Sequence, residues 1–172
     1  MKLMLWILLG IVGLLLLVTI IGWLLQRDHV ATRIGHYRQK PEVIWEAITN
    51  VDAMPSWREG LKSVQKLPDH NGLPAHIEVT TSGTIPFATV EMDPPRKLVS
   101  RIAGEKLPFG GTWTFEIAPT DEGATLRITE RGWVSNPFFR FMSRFVFGQT
   151  STIEGFLRSL AKKFSEPPRI EE

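Results

Sequence analysis

The chain has 172 residues and no cysteine, which excludes a disulfide framework, a thiolate metal site and a cysteine nucleophile. Its 20 Lys and Arg stand against 18 Asp and Glu, and a net charge of +2 makes no electrostatic case for nucleic acid. Once an apolar N-terminal run is set aside, the remainder has the length of one ordinary domain.

That run, Leu3–Leu25, contains no charged residue, and Thr19 is its only hydroxyl. At about 1.5 Å per residue it reaches roughly 35 Å as a helix, more than a hydrocarbon core of about 30 Å. Trp6 and Trp23 sit near its ends, where amphipathic indoles favour the headgroup layer. A cleavable secretory signal has a shorter apolar core and a small-x-small site, and Gly22-Trp23-Leu24-Leu25-Gln26-Arg27 offers none. Residues 1–26 are therefore expected to be an uncleaved single-pass transmembrane anchor. Arg27, Arg33, Arg38 and Lys40 follow the span, while only Lys2 and the amino terminus precede it. The positive-inside rule then puts the domain on the cytoplasmic face.

His29–Tyr37 mixes β-branched and polar residues and predicts a first strand. Pro41 suits the first position of a helix, and Glu42 suits its positive end. Val43, Ile44, Ala47 and Ile48 make that helix's apolar face, and Asn50 ends it. Asp52 is the expected N-cap of a second short helix that carries Trp57. From there the period changes to two. Leu61–Leu67, Ala75–Thr81, Ile85–Met92, Lys97–Ala103, Thr112–Pro119 and Ala124–Trp133 alternate like strands between turn residues such as Asn71-Gly72, Ser82-Gly83 and Asp93-Pro94-Pro95. Short connections predict an antiparallel meander, and the first strand brings the total to seven.

The C-terminal part is helical by period. Phe138, Phe141, Met142 and Phe145 keep helical spacing, with Arg140 and Arg144 off that stripe. Ile153, Phe156, Leu157, Leu160, Ala161 and Phe164 fit the i, i+3, i+4, i+7 pattern through three turns. A helix this amphipathic needs a partner surface, and a curved sheet supplies one. The domain is expected over residues 27–166, with 167–172 as a flexible tail.

Several segments in this order carry a resemblance. They are Pro41-Glu42-Val43-Ile44-Trp45, Met54-Pro55-Ser56-Trp57-Arg58, Pro94-Pro95-Arg96-Lys97-Leu98-Val99, Gly111-Thr112-Trp113-Thr114-Phe115, Thr129-Glu130-Arg131-Gly132 and Asn136-Pro137-Phe138-Phe139-Arg140-Phe141. Over about His29 to Phe164 the chain resembles the SRPBCC superfamily of START-like, polyketide cyclase/dehydrase and lipid-transport proteins. The resemblance implies an α+β helix-grip fold: a seven-stranded antiparallel curved sheet wrapped around the long C-terminal helix. It also implies a cavity between sheet and helix that holds an apolar small molecule, without naming a substrate.

Alternation puts Trp113, Phe115 and Ile117 on the helix-facing side of their strand. The parity of Ala124, Leu126 and Ile128 carries Glu130 inward too. An inward carboxylate either anchors a ligand head group, serves as general acid or base, is a structural group paired with Arg101 or Arg58, or lies at a strand end where it reaches water. Trp57 and Arg58 are expected over the cavity mouth, where Trp57 either stacks on a ligand or is a core residue, and Ile153 lies on the gripped helix. Phe109, beside Pro108 and Gly110-Gly111, is either a gate or a plain hairpin loop. The expected ligand-binding set is thus Trp57, Arg58, Arg101, Phe109, Trp113, Phe115, Glu130 and Ile153.

His29, His36, His70 and His76 show no metal spacing, and His76 and Glu78 share a strand face without a visible third ligand. No nucleophile elbow, phosphate loop or cofactor signature is present. Asn136–Phe147 interleaves phenylalanines with Arg140 and Arg144, which suits either a core helix or one lying in a membrane interface. Three functions follow. The first is a bilayer-tethered binder of a hydrophobic molecule or lipid. The second is a cyclase/dehydratase-like enzyme using Glu130. The third is an interaction protein whose cavity is filled.

Overall fold

In the computed structural model, which describes residues 2–104 and 107–172, the N-terminal apolar run is one unbroken helix, α1 (Lys2–Leu24). It is long and apolar enough to cross a membrane, and none of its apolar window is covered by protein. The domain then runs β1 (Asp28–Tyr37), α2 (Pro41–Thr49), a 3-10 turn (Val51–Ser56), β2 (Leu61–His70), β3 (Leu73–Thr80), β4 (Thr84–Asp93), β5 (Lys97–Ile102), β6 (Phe109–Thr120) and β7 (Gly123–Val134). It ends in α3 (Pro137–Met142), one π-helical turn (Ser143–Phe147), α4 (Ser151–Lys163) and β8 (Ile170–Glu171).

The strands form one antiparallel sheet in the order β2-β3-β4-β5-β6-β7-β1-β8. The seven strands expected from alternation are all present, and the eighth corrects the sequence expectation. Ile170 and Glu171, placed in a flexible tail, pair with Gly35 and Ile34. The Glu166 carboxylate accepts from the Arg38 N–H and the Gln39 amide, both at 2.9 Å, and the Arg169 carbonyl accepts from the His36 N–H at 3.0 Å. The tail thereby covers part of the open edge that β1 would otherwise present to solvent. A second correction concerns the 3-10 turn: its cap is Asn50, whose side chain accepts from the Ala53 N–H, while Asp52 lies in the first turn and pairs with Lys66.

Cross-strand register arranges the helix-facing side in rows. Thr89, Ser100, Trp113, Glu130 and Ala31 make one, and Leu98, Phe115, Ile128 and Arg33 the next. Onto these α4 lays Ile153, Phe156, Leu157, Leu160 and Ala161, all buried. Each large side chain so removed from water contributes about 1.5–3 kcal/mol. Polar ties fix the helix on the sheet: Arg33 donates to Glu154 at 3.2 Å, and the Tyr37 hydroxyl donates to the Leu157 carbonyl at 3.1 Å.

The junction of α1 with α3 rests on a glycine. Gly22 is the buried residue of α1, and a Cβ there would stand 1.9 Å from the Pro137 carbonyl oxygen. The two backbones approach too closely for any side chain. Gly22→Leu is therefore expected to separate α3 from α1 while the sheet stays intact. Amide exchange should speed up at least about tenfold across residues 136–150 and not in β6 or β7, since only the local opening changes. Equal exchange in variant and parent would show that the close approach does not hold α3.

Candidate ligand site and the junction cleft

Glu130 occupies the inner row between Trp113 and Ala31, and its partner is neither of the arginines expected from sequence. Its Oε1 lies 3.8 Å from His29 Nε2, a group the same alternation along β1 puts on the inner face. Arg101 is corrected outright. It pairs laterally with Ala88 and Thr112, one step out of phase with Ser100 and Trp113, so it stands exposed on the outer face. The parity was already visible in Leu98, Ser100 and Ile102, all of which point the opposite way.

Arg58 meets a different carboxylate. Its Nη1 donates to Oε1 of Glu78 on β3, and His76 Nε2 lies 3.6 Å from the same oxygen. The side chains are 17 % and 5 % exposed, so the pair is shielded from water. Burial pushes the Glu78 carboxyl up, but His76 and the Arg58 charge more than offset this and hold it below the usual carboxylate range. The group beside His76 and Glu78 is thus a cation, which makes this an ion-pair cluster unsuited to binding a metal. Sequence parity had placed His76 and Glu78 on one face; nothing local revealed that Arg58 reaches them.

Around this cluster the rings interlock. Trp57 meets Phe156 edge-on at 5.5 Å, Phe156 lies 5.6 Å from Phe115 and 6.4 Å from Trp113, and Arg58 covers the Phe156 ring at 5.1 Å. Ile153, Trp113 and Phe115 belong to the same buried core, so α4 packs directly on the sheet along this stretch. Farther along the inner face, Phe87 stacks on His76 at 5.6 Å, and Ile85, Phe87 and Ile102 are only half-buried. Two polar atoms in this region are buried without a partner among the described residues: Trp57 Nε1, a donor, and Glu78 Oε2, an acceptor.

Phe109 is not in a loop. Strand β6 begins at Phe109, which pairs with Val134, and Gly111 lets the two strands close up. Its φ is +149°, and a Cβ there would lie 2.3 Å from the Arg131 carbonyl. The expected turn at Phe109-Gly110-Gly111 thus extends the strand, because glycines are required where β6 and β7 approach.

The segment Asn136–Phe147 splits its rings. Phe138, Phe141 and Met142 are half-buried, whereas Phe139 is 51 % and Phe147 62 % exposed, with Phe145 and Val146 similarly open. Between this segment and the end of α1 lies a cleft of about 320 Å³ that no sequence signal indicated, since its lining residues are far apart in the chain.

Residues 36–165 match the family model described as polyketide cyclase / dehydrase and lipid transport. No curated protein matches the chain. Similar solved structures include a START superfamily protein from Mycobacterium smegmatis, at 14 % identity and TM-score 0.63 over 81 % of this chain and 98 % of that one. Norcoclaurine synthase from Thalictrum flavum aligns at 11 % identity and TM-score 0.62, over 81 % and 88 %. The di-domain ARO/CYC StfQ from the steffimycin biosynthetic pathway aligns at 17 % identity and TM-score 0.64, over 81 % of this chain and 52 % of that one. At such identities the likeness is one of fold.

Proposed function

The chain belongs to the polyketide cyclase/dehydrase and lipid transport family, and we propose that it is a membrane-tethered binder of an apolar small molecule or lipid bearing one polar end. In this proposal residues 1–26 anchor the protein, residues 27–166 form the binding domain, and the arginines after α1 hold it on the cytoplasmic side. The observation that carries the proposal is the pair of buried, unpartnered atoms Trp57 Nε1 and Glu78 Oε2. Leaving such groups unsatisfied costs about 1–3 kcal/mol each, and a ligand hydroxyl would supply the missing acceptor and donor. The half-buried Ile85, Phe87 and Ile102 offer the apolar remainder of the ligand a surface. Tethering keeps the domain and a membrane-soluble ligand in one thin layer, which raises their effective concentration.

A second function is favoured by the closed packing along α4: an interaction protein without a ligand, which presents its exposed rings to another membrane protein. Native mass spectrometry of the full-length protein extracted in mild detergent separates the two. The binder is expected to carry a co-purifying small molecule. Trp57→Phe, which keeps an aromatic ring near Phe156 but removes the N–H, should lower its retention about threefold to tenfold, the worth of one hydrogen bond, with the domain still folded by circular dichroism. A wild-type protein that always flies at its bare mass would favour the interaction function.

A further inference from the structure

The cleft between α1 and the domain is lined by Leu24 and Leu25, where the apolar run ends, and by Arg27, His29, Arg140 and Arg144. Three arginines therefore line a space of about 320 Å³. Arg140 is held in place by the carbonyls of Val134 at 2.8 Å, Ser135 at 2.8 Å and Leu25 at 3.3 Å, all neutral acceptors that leave its charge uncompensated. Arg27 lies 4.6 Å above the Trp133 ring, and Arg144 is exposed. Among the described residues no ion pair joins Arg27, Arg140 or Arg144 to a carboxylate, and the carboxylate recorded beside His29 is Glu130. Three arginines around one cleft, none of them in an ion pair among the described residues, call for an anion.

The leucines say which anion. Leu24 and Leu25 end the apolar run, so in a membrane-spanning α1 the cleft lies at the depth where acyl chains give way to headgroups. The exposed Phe145 and Phe147 stand on the turn that also supplies Arg144, a combination of apolar rings and a cation suited to that boundary. We propose that the cleft seats the phosphate of an anionic phospholipid from the leaflet in which α1 ends. The phosphate sits among Arg27, Arg140 and Arg144, and the acyl chains run along the leucines. This site rests on the membrane-tethered reading but is separate from the inner-face site of Trp57 and Glu78. It orients the domain on an acidic membrane surface.

The test uses the full-length protein in neutral detergent micelles, titrated with phosphatidylglycerol or phosphatidylcholine and examined by native mass spectrometry. Phosphatidylglycerol adducts are expected to exceed phosphatidylcholine adducts at least about fivefold, the effect of a single arginine at an anionic surface. Arg27→Gln with Arg144→Gln should erase the preference, and Arg144→Gln alone should reduce it if the double variant yields little folded protein. Arg144→Lys should keep part of it. Lys162→Gln with Lys163→Gln removes equal charge from the exposed end of α4 and should change nothing. Equal adducts of the two lipids with the wild type, or an unchanged preference in the arginine variants, would overturn the site. Inorganic phosphate that displaces phosphatidylglycerol at equal concentration would overturn the lipid as its occupant. Carbonate washing of membranes keeps the two levels apart. Retention without lipid preference removes the headgroup site alone, whereas loss from the membrane removes the tether and the site with it.

Discussion

Arg58→Met is expected to destabilise the domain by about 3–5 kcal/mol at neutral pH, the range found when one partner of a buried ion pair is removed. The substitution fills a similar volume but strands the Glu78 carboxylate, which is 5 % exposed and has one oxygen unpartnered already. It also removes the guanidinium from the Phe156 ring, a smaller loss. The pH dependence identifies the cause. In the parent, Glu78 titrates below its ordinary value, so its contribution is present above the unfolded carboxylate pKa and lost as pH falls through the folded one. In the variant burial is opposed by His76 alone, and the carboxyl is expected to titrate higher than it does in the parent. The cost is then felt at neutral pH and relieved as pH falls and Glu78 takes up a proton. Urea unfolding at pH 7 and pH 4 should therefore show a gap between parent and variant that narrows in acid. Arg58→Met with Glu78→Gln should recover most of the loss, because no buried charge remains. A gap under about 1 kcal/mol at pH 7 would place the pair in water, contrary to its burial.

The second large effect is expected at the membrane surface. Take the domain without its anchor, residues 27–172, and replace Phe139 and Phe147 by serine. Binding to liposomes is expected to fall more than tenfold. The two rings are exposed, so their loss removes little from the fold, yet each buried in an apolar phase contributes about 1.5–3 kcal/mol. Even if only half of that is realised in the interface, the pair exceeds the 1.4 kcal/mol that corresponds to a factor of ten. Co-sedimentation with vesicles measures it, and circular dichroism checks that helix and sheet persist. Unchanged sedimentation by a folded double variant would assign these rings to a protein partner or to no contact at all.

The inner row shows how far alternation reaches. It placed Trp113, Phe115 and Glu130 on one face, and it put His76 beside Glu78, because side-chain direction in a strand has a period of two whatever the strand pairs with. The same rule excludes Arg101 from the inner face, since its phase opposes that of Ser100 and Ile102, and opposite charge alone does not make two side chains partners. Charge alone makes Arg58 or Arg101 a partner for Glu130, whereas the fold offers it His29 and gives Arg58 to Glu78.

By itself the sequence determined the apolar helix at the N-terminus, seven strands in a meander, and the amphipathic helix that the sheet holds. Each of these is written in local periodicity, and burying the resulting apolar faces allows few arrangements. Only the tertiary structure decided that Ile170 and Glu171 join β1, that Phe109 lies within a strand, and that Gly22 touches Pro137. It alone brought Arg58 to Glu78 and gathered Arg27, Arg140 and Arg144 around one cleft. Periodicity records which way a side chain points along its own element. Which distant element it then meets depends on how strands curve and how closely backbones approach, and those distances are set by the packed whole.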